Sequence, residues 1–294
     1  MTVAALRPGQ EVDAVFACTR KDRLQARTGA AYLALELRDA TGAIGARVFR
    51  DADLHGGRFE RGDLVRVAGR VERFRDQLQL DVRAIARAQG EDADPARFLP
   101  VAYRDLDELD GFLESLADEV RDPGFGGLLA DLLADAELRA AWRRAPCSRN
   151  GHHAYLGGLL EHTVAVGTLA LSACELHPRL DQNLLLTAAL VHDLGKTREF
   201  TYGAEIGLTD EGRLLGHVEL GLRMLDARGA HRLDEPRRIA LAHCVLTHHG
   251  ADAAPGRRFG SAEAIALYRL NAVDAAVKGA IEHRIAPAAG GAPV

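Results

Sequence analysis

Between Glu11 and Ile85, apolar and polar positions alternate with a period of two, in short runs separated by turn residues. That is the pattern of half-buried strands. Glu11–Thr19 holds the run VDAVFACT. In Ala31–Arg38, Leu33, Leu35 and Leu37 share one face, and Tyr32, Ala34 and Glu36 the other. The turn DATG leads into Ile44–Phe49, with Ile44, Ala46 and Val48 inward and Arg47 and Phe49 outward. Leu64–Val71 and Leu78–Ile85 follow. The spacing predicts a small antiparallel barrel or sandwich. Five strands with a longer loop between the third and fourth suit an OB-type barrel.

After Arg87 the pattern changes. Residues 89–103 (QGEDADPARFLPVAY) gather two prolines and an acidic cluster and read as a linker. Beyond them, Leu106–Val120 and Gly126–Trp142 carry apolar residues at three- and four-residue intervals, and Ala- and Leu-rich sequence continues to the tail. That is helical periodicity. The expected organisation is two-domain: a small all-β OB barrel over 1–88, a linker over 89–104 and an all-α domain over 105–285. A disordered tail is expected over 286–294.

Composition changes this picture little, and charge somewhat more. The chain has 294 residues, enough for two cores, and a net charge of −5. Residues 1–90 hold 16 Lys+Arg against 12 Asp+Glu, and residues 91–294 hold 21 against 30, so a mildly basic module precedes an acidic one. The four cysteines, Cys18, Cys147, Cys174 and Cys244, form no CxxC pair, as expected of reduced buried thiols. The opening MTVAALRPGQ has no basic-then-apolar leader pattern. No run of about 18 consecutive apolar residues suggests a membrane span. A cytoplasmic protein without a membrane partner is expected, and homo-oligomerisation is left open.

The chemistry lies in the histidines. Ten of the twelve fall between His152 and His249. His162 is embedded in the apolar run GGLLEHTVAVGTLAL, His192-Asp193 close LLLTAALVHDLGK, His217 follows Gly216 in LLGHVELG, and His248-His249 end LAHCVLTHHG. An ionised carboxylate among leucines is costly unless paired or metal-bound. Imidazole and carboxylate together suit Mn²⁺, Fe²⁺ or Zn²⁺. Asp193 can bridge two cations, the histidines dividing between them, and such a pair activates water against a phosphodiester. Asp193 and Lys196 are the expected catalytic residues, with Lys196 placed to reach a phosphate oxygen.

The order H…HD…H…HH…D resembles the HD superfamily of metal-dependent phosphohydrolases. The strings APCSRNGHHAYLGGLLEHT, AALVHDLGK, GHVELG and THHG, after an N-terminal OB module, resemble the YhaM-type 3′→5′ exoribonuclease family. The resemblance covers most of the chain. It implies an all-α HD domain, two cations of Mn²⁺ or a similar metal, and trimming of single strands from the 3′ end. It carries ligand roles to His162, His192, Asp193, His217, His248 and His249, and a place near substrate to His152, His153 and Tyr155. His243 also falls at a recurring family position, where helix packing explains it equally well. One departure stands out. Where the family has two aspartates three residues apart, the first a metal ligand, this chain has Asn271 and then Asp274. Both enter the expected metal set, Asn271 as a weaker neutral oxygen donor. The family's GSP segment is GSA here.

An OB module tracks single strands with basic side chains and exposed aromatic rings. Arg47, Phe49, Arg73, Phe74 and Arg75 are the expected nucleic-acid contacts, with Arg23 and Arg27 behind them. The expected function is a metal-dependent 3′→5′ exonuclease acting on single-stranded RNA, with DNA also open. The competing readings are a cyclic-dinucleotide or nucleotide phosphodiesterase and a single-strand-binding protein whose catalysis is impaired at Asn271.

Overall fold

The computed structural model describes residues 1–39, 41–75, 77–229 and 231–282; the tail 286–294 lies outside them. The chain divides into two compact units. The first comprises residues 1–100 with 201–207, and the second residues 101–200 with the remainder.

The first unit is built on five strands, β1 (Glu11–Gln25), β2 (Ala31–Asp39), β3 (Gly42–Val48), β4 (Leu64–Phe74) and β5 (Gln77–Arg87). They close in the order β1-β2-β3-β5-β4, with a short helix α1 (Ala52–Gly56) between β3 and β4. All pairings are antiparallel except β3 with β5, the seam that closes the barrel. Leu33, Leu35, Leu37, Ile44, Ala46 and Val48 are buried as expected, and of the alternating Leu78, Leu80 and Val82 the last two are buried and Leu78 is half-buried. Strict alternation fails at two bulges, between Cys18 and Arg20 and opposite Ala68–Gly69. The second lets both Val82 and Ile85 face inward although they are three residues apart. Gly69 is required there, since a Cβ would lie 2.3 Å from the Asp81 carbonyl oxygen. Residues 89–100, expected as linker, fold into two 3₁₀ turns and group with the first unit.

The second unit is helical: α2 (Leu106–Asp118), α3 (Pro123–Ala134), α4 (Ala136–Arg144), α5 (Gly158–Leu176), α6 (Gln182–Val191), α7 (Lys196–Glu199), α8 (Asp210–Gly229), α9 (Glu235–Thr247) and α10 (Ala262–Glu282). Two short strands joined by a three-residue turn, β6 (Phe200–Tyr202) and β7 (Ile206–Leu208), interrupt the helices as a small hairpin whose central residues 201–207 belong to the first unit. Aspartates punctuate this domain. Asp105, Asp122, Asp135, Asp181 and Asp234 accept hydrogen bonds from the first-turn amides of α2, α3, α4, α6 and α9. The run Gly126–Trp142 is accordingly two helices, because Asp135 ends α3 and caps α4. Helix α5 packs against α2, α4, α6 and α10 at the centre of the core. By length and mean hydropathy α5 could cross a membrane, in contrast to the expectation from uninterrupted apolar runs. In the fold it is the buried axis of the helical unit, with Glu161 and His162 among its leucines.

Candidate metal centre

Four imidazoles converge on one carboxylate, and each is held by its far nitrogen. His192, at the C-terminus of α6, donates Nδ1–H to the Ala189 carbonyl at 2.9 Å. His248, at the C-terminus of α9, donates Nδ1–H to the Val245 carbonyl at 2.6 Å. On α5, His162 directs Nδ1 to Asp274 Oδ2 at 2.6 Å. His217 directs Nδ1 to Glu199 Oε1 at 3.2 Å, and its backbone amide donates to the same oxygen at 3.1 Å. A neutral imidazole whose Nδ1 donates has a bare lone pair on Nε2. Burial pushes His162 down to about 4 although Asp274 and Asp193 favour its charge, and burial lowers His248 as well, so His162 and His248 are neutral at pH 7.

The bare nitrogens surround Asp193. Its Oδ2 lies 3.4 Å from Nε2 of both His162 and His192, and its Oδ1 lies 3.4 and 3.5 Å from Nε2 of His217 and His248. The two Nε2 atoms of His162 and His192 face each other at 3.2 Å, and those of His217 and His249 at 3.0 Å. At His162 and His192, whose Nδ1 atoms already carry the donated proton, the two Nε2 lone pairs repel unless something electropositive lies between them. Among the described residues, Asp193 Oδ1 and His248 Nε2 are buried without a hydrogen-bond partner. Donors about 2.0–2.2 Å from one small cation stand roughly 3.0–3.5 Å from each other. The residues therefore fit a divalent cation. Two donor groups share the carboxylate: His162, His192 and Asp193 on one side, and Asp193, His217, His248 and His249 on the other.

Local backbone geometry makes this convergence possible. A Cβ on Gly195 would lie 1.9 Å from the His217 carbonyl oxygen, so only glycine lets α8 approach the turn after Asp193 at His217. Gly216, at φ +71°, kinks α8 immediately before His217. Burial opposes charge on Asp193, yet Lys196 and His192 beside it hold its carboxyl well below the usual range. Lys196 Nζ is 2.7 Å from Asp193 Oδ2 and 3.4 Å from Cys147 Sγ. Lys196 is buried, and although burial disfavours its charge, Asp193 raises its pKa. It therefore fixes the carboxylate rather than standing free to meet a phosphate, as the sequence suggested.

All six histidine and aspartate positions named as ligands come together. The two positions on α10 do not join them. Asp274 lies on the Nδ1 side of His162, away from Asp193, and also meets His153 Nε2 at 2.9 Å. Asn271 is buried and donates its amide N–H to the His248 carbonyl at 3.2 Å. His153 and Tyr155, expected near substrate, belong to a partly buried hydrogen-bonded chain. His153 Nδ1 meets the Tyr155 hydroxyl at 2.9 Å, which donates to Glu161 Oε2 at 2.7 Å, and Lys278 closes on Glu161 Oε1 at 2.8 Å. His152 is half-buried beside Cys147, and His243 Nε2 accepts the Gly260 amide, a packing role. The sequence reading missed Glu199, Glu161 and Cys147. No helical spacing links them to the histidines they touch.

On the barrel, Phe49 and Phe74 are 55% and 57% exposed, unusual for phenylalanine. Tyr32, not named from sequence, packs on Phe49 with ring centroids 5.5 Å apart. The Arg75 guanidinium lies over the Phe74 ring at 5.3 Å, and Arg73 is exposed. Arg47 is half-buried with a guanidinium N–H on the Ala46 carbonyl. Arg23 pairs with Asp53 at 2.7 Å, while Arg27 is exposed.

Comparison with known proteins agrees with this geometry. Residues 17–86 match the OB-fold nucleic acid binding domain, and residues 159–276 match the HD domain. The chain thus joins a barrel of a nucleic-acid-binding class to a helical domain of the HD class. Its resemblance to the YhaM-type family extends over most of its length. It is 29% identical over 250 residues to the 3′-5′ exoribonuclease YhaM of Shouchella clausii, covering 83% of this chain and 76% of that protein. It is 28% identical over 244 residues to the 3′-5′ exoribonuclease YhaM of Bacillus subtilis, covering 82% and 77%. Among solved structures, the second OB-fold domain of replication protein A from Methanococcus maripaludis is 19% identical. That match covers 31% of this chain and 96% of that one, with a TM-score of 0.26. The barrel assignment rests on its own closed five-strand topology.

Proposed function

We propose that this protein is a metal-dependent 3′→5′ exonuclease of single-stranded RNA, its barrel holding the strand and its Asp193 centre hydrolysing the terminal phosphodiester. The observation that carries the proposal is the set of bare Nε2 atoms facing both oxygens of Asp193. Such a donor set has little use without a cation. The relatives named 3′-5′ exoribonuclease, and the match to a nucleic acid binding barrel, support the substrate and polarity.

A cation bound there supplies a water of lowered pKa and positive charge against the scissile phosphate. The chain's own residues prepare that chemistry. Ala189, Val245, Asp274 and Glu199 fix the tautomers of His192, His248, His162 and His217. Lys196 holds Asp193 ionised and oriented, so that each carboxylate oxygen serves one donor group. Two ions sharing Asp193 is the occupancy this division favours. Mn²⁺ is the proposed metal, with Fe²⁺ or Zn²⁺ suited to the same nitrogen-rich donors. On the barrel, Phe49, Phe74 and Tyr32 offer stacking faces for bases, and Arg73 and Arg75 offer charge for the backbone. Four free buried cysteines accord with a cytoplasmic location.

The test is a 5′-labelled single-stranded RNA incubated with Mn²⁺ and the full chain. A ladder shortening from the 3′ end, absent with Asp193→Ala, is expected. Cuts within the strand, or equal activity in the variant, would overturn the proposal.

A further inference from the structure

Cys147 has no place in the donor set described so far, yet it stands against it. It lies in the segment between α4 and α5, which is tied down at several points. The Cys147 amide donates to the His153 carbonyl at 3.1 Å, Ser148 Oγ donates to the His152 carbonyl at 2.8 Å, and the Gly151 amide donates to Ser148 Oγ at 2.9 Å. This bracing sets Cys147 Sγ 3.7 Å from His152 Nε2. A sulfur and a nitrogen sharing one tetrahedral zinc ion stand about 3.6 Å apart, given Zn–S near 2.3 Å and Zn–N near 2.0–2.1 Å. Cys147, His152 and His162 each offer a donor atom, and the three atoms lie within 4.8 Å of one another. A half-buried His152 leaves that cluster open to arrival from solvent.

We infer that Cys147, His152 and His162 form a separate, sulfur-containing cation site for a thiophilic divalent ion such as Zn²⁺ or Cd²⁺, whose filling withdraws His162 from the Asp193 centre. Thiolate selects softer cations than a histidine and carboxylate shell does. His162 cannot serve both places. Its Nδ1 is engaged by Asp274, and its one remaining nitrogen is the Nε2 that faces His192 and Asp193. Cys147 Sγ also lies 3.7 Å from Asp193 Oδ2, so the two sites touch and do not fill independently. As the S–metal bond forms, the Sγ proton leaves to solvent. Burial pushes the Cys147 thiol up to about 12; the Lys196 ammonium, 3.4 Å from Sγ, opposes that rise but also repels the incoming cation. Strong occupation therefore requires an ion whose affinity for sulfur outweighs that repulsion. The site would make the protein sensitive to thiophilic metals while Mn²⁺ supports it. This inhibitory consequence rests on the proposed function; the binding itself does not.

The experiment titrates the full chain, loaded with Mn²⁺ and kept reduced, with Cd²⁺. The ultraviolet Cd–thiolate charge-transfer band and the electron paramagnetic resonance of free Mn²⁺ are followed together. Wild type should develop a band equivalent to one thiolate per chain and release Mn²⁺ in step with it. Cys147→Ser should lose the band and need at least about tenfold more Cd²⁺ for the same release, since losing a ligand costs no less than losing an outer-sphere partner. His152→Ala keeps the thiol and should shift the band's midpoint by a similar factor; it decides the matter if Cys147→Ser fails to fold. A wild type without the band, an equal band in Cys147→Ser, or superimposed Mn²⁺ release curves would overturn the inference. If wild type never binds Mn²⁺, the Asp193 reading fails, while the Cd²⁺ band still reports on Cys147.

Discussion

Asp274 Oδ2 lies 2.6 Å from Nδ1 of His162, on the side of the ring turned away from Asp193. The aspartate that survives on α10 therefore acts on a ligand rather than as one. It fixes the tautomer of His162 and makes its Nε2 a better donor.

Replacing Asp274 by Asn should accordingly weaken Mn²⁺ binding by about 10- to 100-fold without removing any donor atom. Calorimetric titration of wild type and Asp274→Asn with Mn²⁺ checks this. Unchanged affinity would mean that the contact does not tune the ring.

Asn271 has a structural task that an aspartate could not perform unchanged. Its amide donates to the buried His248 carbonyl, and a carboxylate there would set oxygen against oxygen. Asn271→Ala leaves that carbonyl unpaired and should cost about 1–3 kcal/mol. Urea unfolding of the metal-free protein measures the loss. Trp142, the single tryptophan and a core residue of the helical unit, reports it.

The barrel was largely legible in sequence because one buried face imposes period-two alternation, as at Leu33, Leu35 and Leu37. The bulges at Thr19 and Arg83 were not, since an extra residue in one strand has meaning only against its partner. The donor set was legible too: Asp193 beside His192 on an apolar helix had no inexpensive alternative to pairing or a cation. What sequence could not reveal were contacts across elements. Glu199 reaches His217 through the hairpin, Asp274 reaches His162 from α10, and Lys196 turns inward to Asp193 although spacing alone allowed it to face solvent.

Asp110 gives the helical unit a pH dependence that is independent of the metal centre. Its side chain is 7% exposed and bonded to Arg139 at 2.8 Å and Arg143 at 2.6 Å. Burial opposes its ionisation, but the two guanidiniums win and hold its pKa below the usual value. A depressed carboxyl contributes stability above its unfolded pKa of about 3.9 and loses it as pH falls through the lower folded value. Asp110→Asn should be less stable by about 3 kcal/mol near pH 7, with the gap closing below about pH 4. A gap that stays constant in acid, read by Trp142 fluorescence, would contradict this.

The barrel's aromatic residues should separate from its arginines in binding. Phe49→Ala or Phe74→Ala should lose about 1–3 kcal/mol of single-strand affinity with little change in salt dependence. Arg73→Ala with Arg75→Ala should flatten the slope of affinity against salt, since those side chains would neutralise phosphates. Fluorescence anisotropy with a labelled oligonucleotide at several salt concentrations distinguishes the two.

The central claim is that both oxygens of Asp193 organise one metal centre. Equilibrium binding of Mn²⁺ to wild type and Asp193→Ala, each confirmed folded by Trp142 emission, tests it most directly. Two Mn²⁺ per wild-type chain and loss of both from the variant is the predicted result. A variant that retains its full complement of Mn²⁺ would contradict the account.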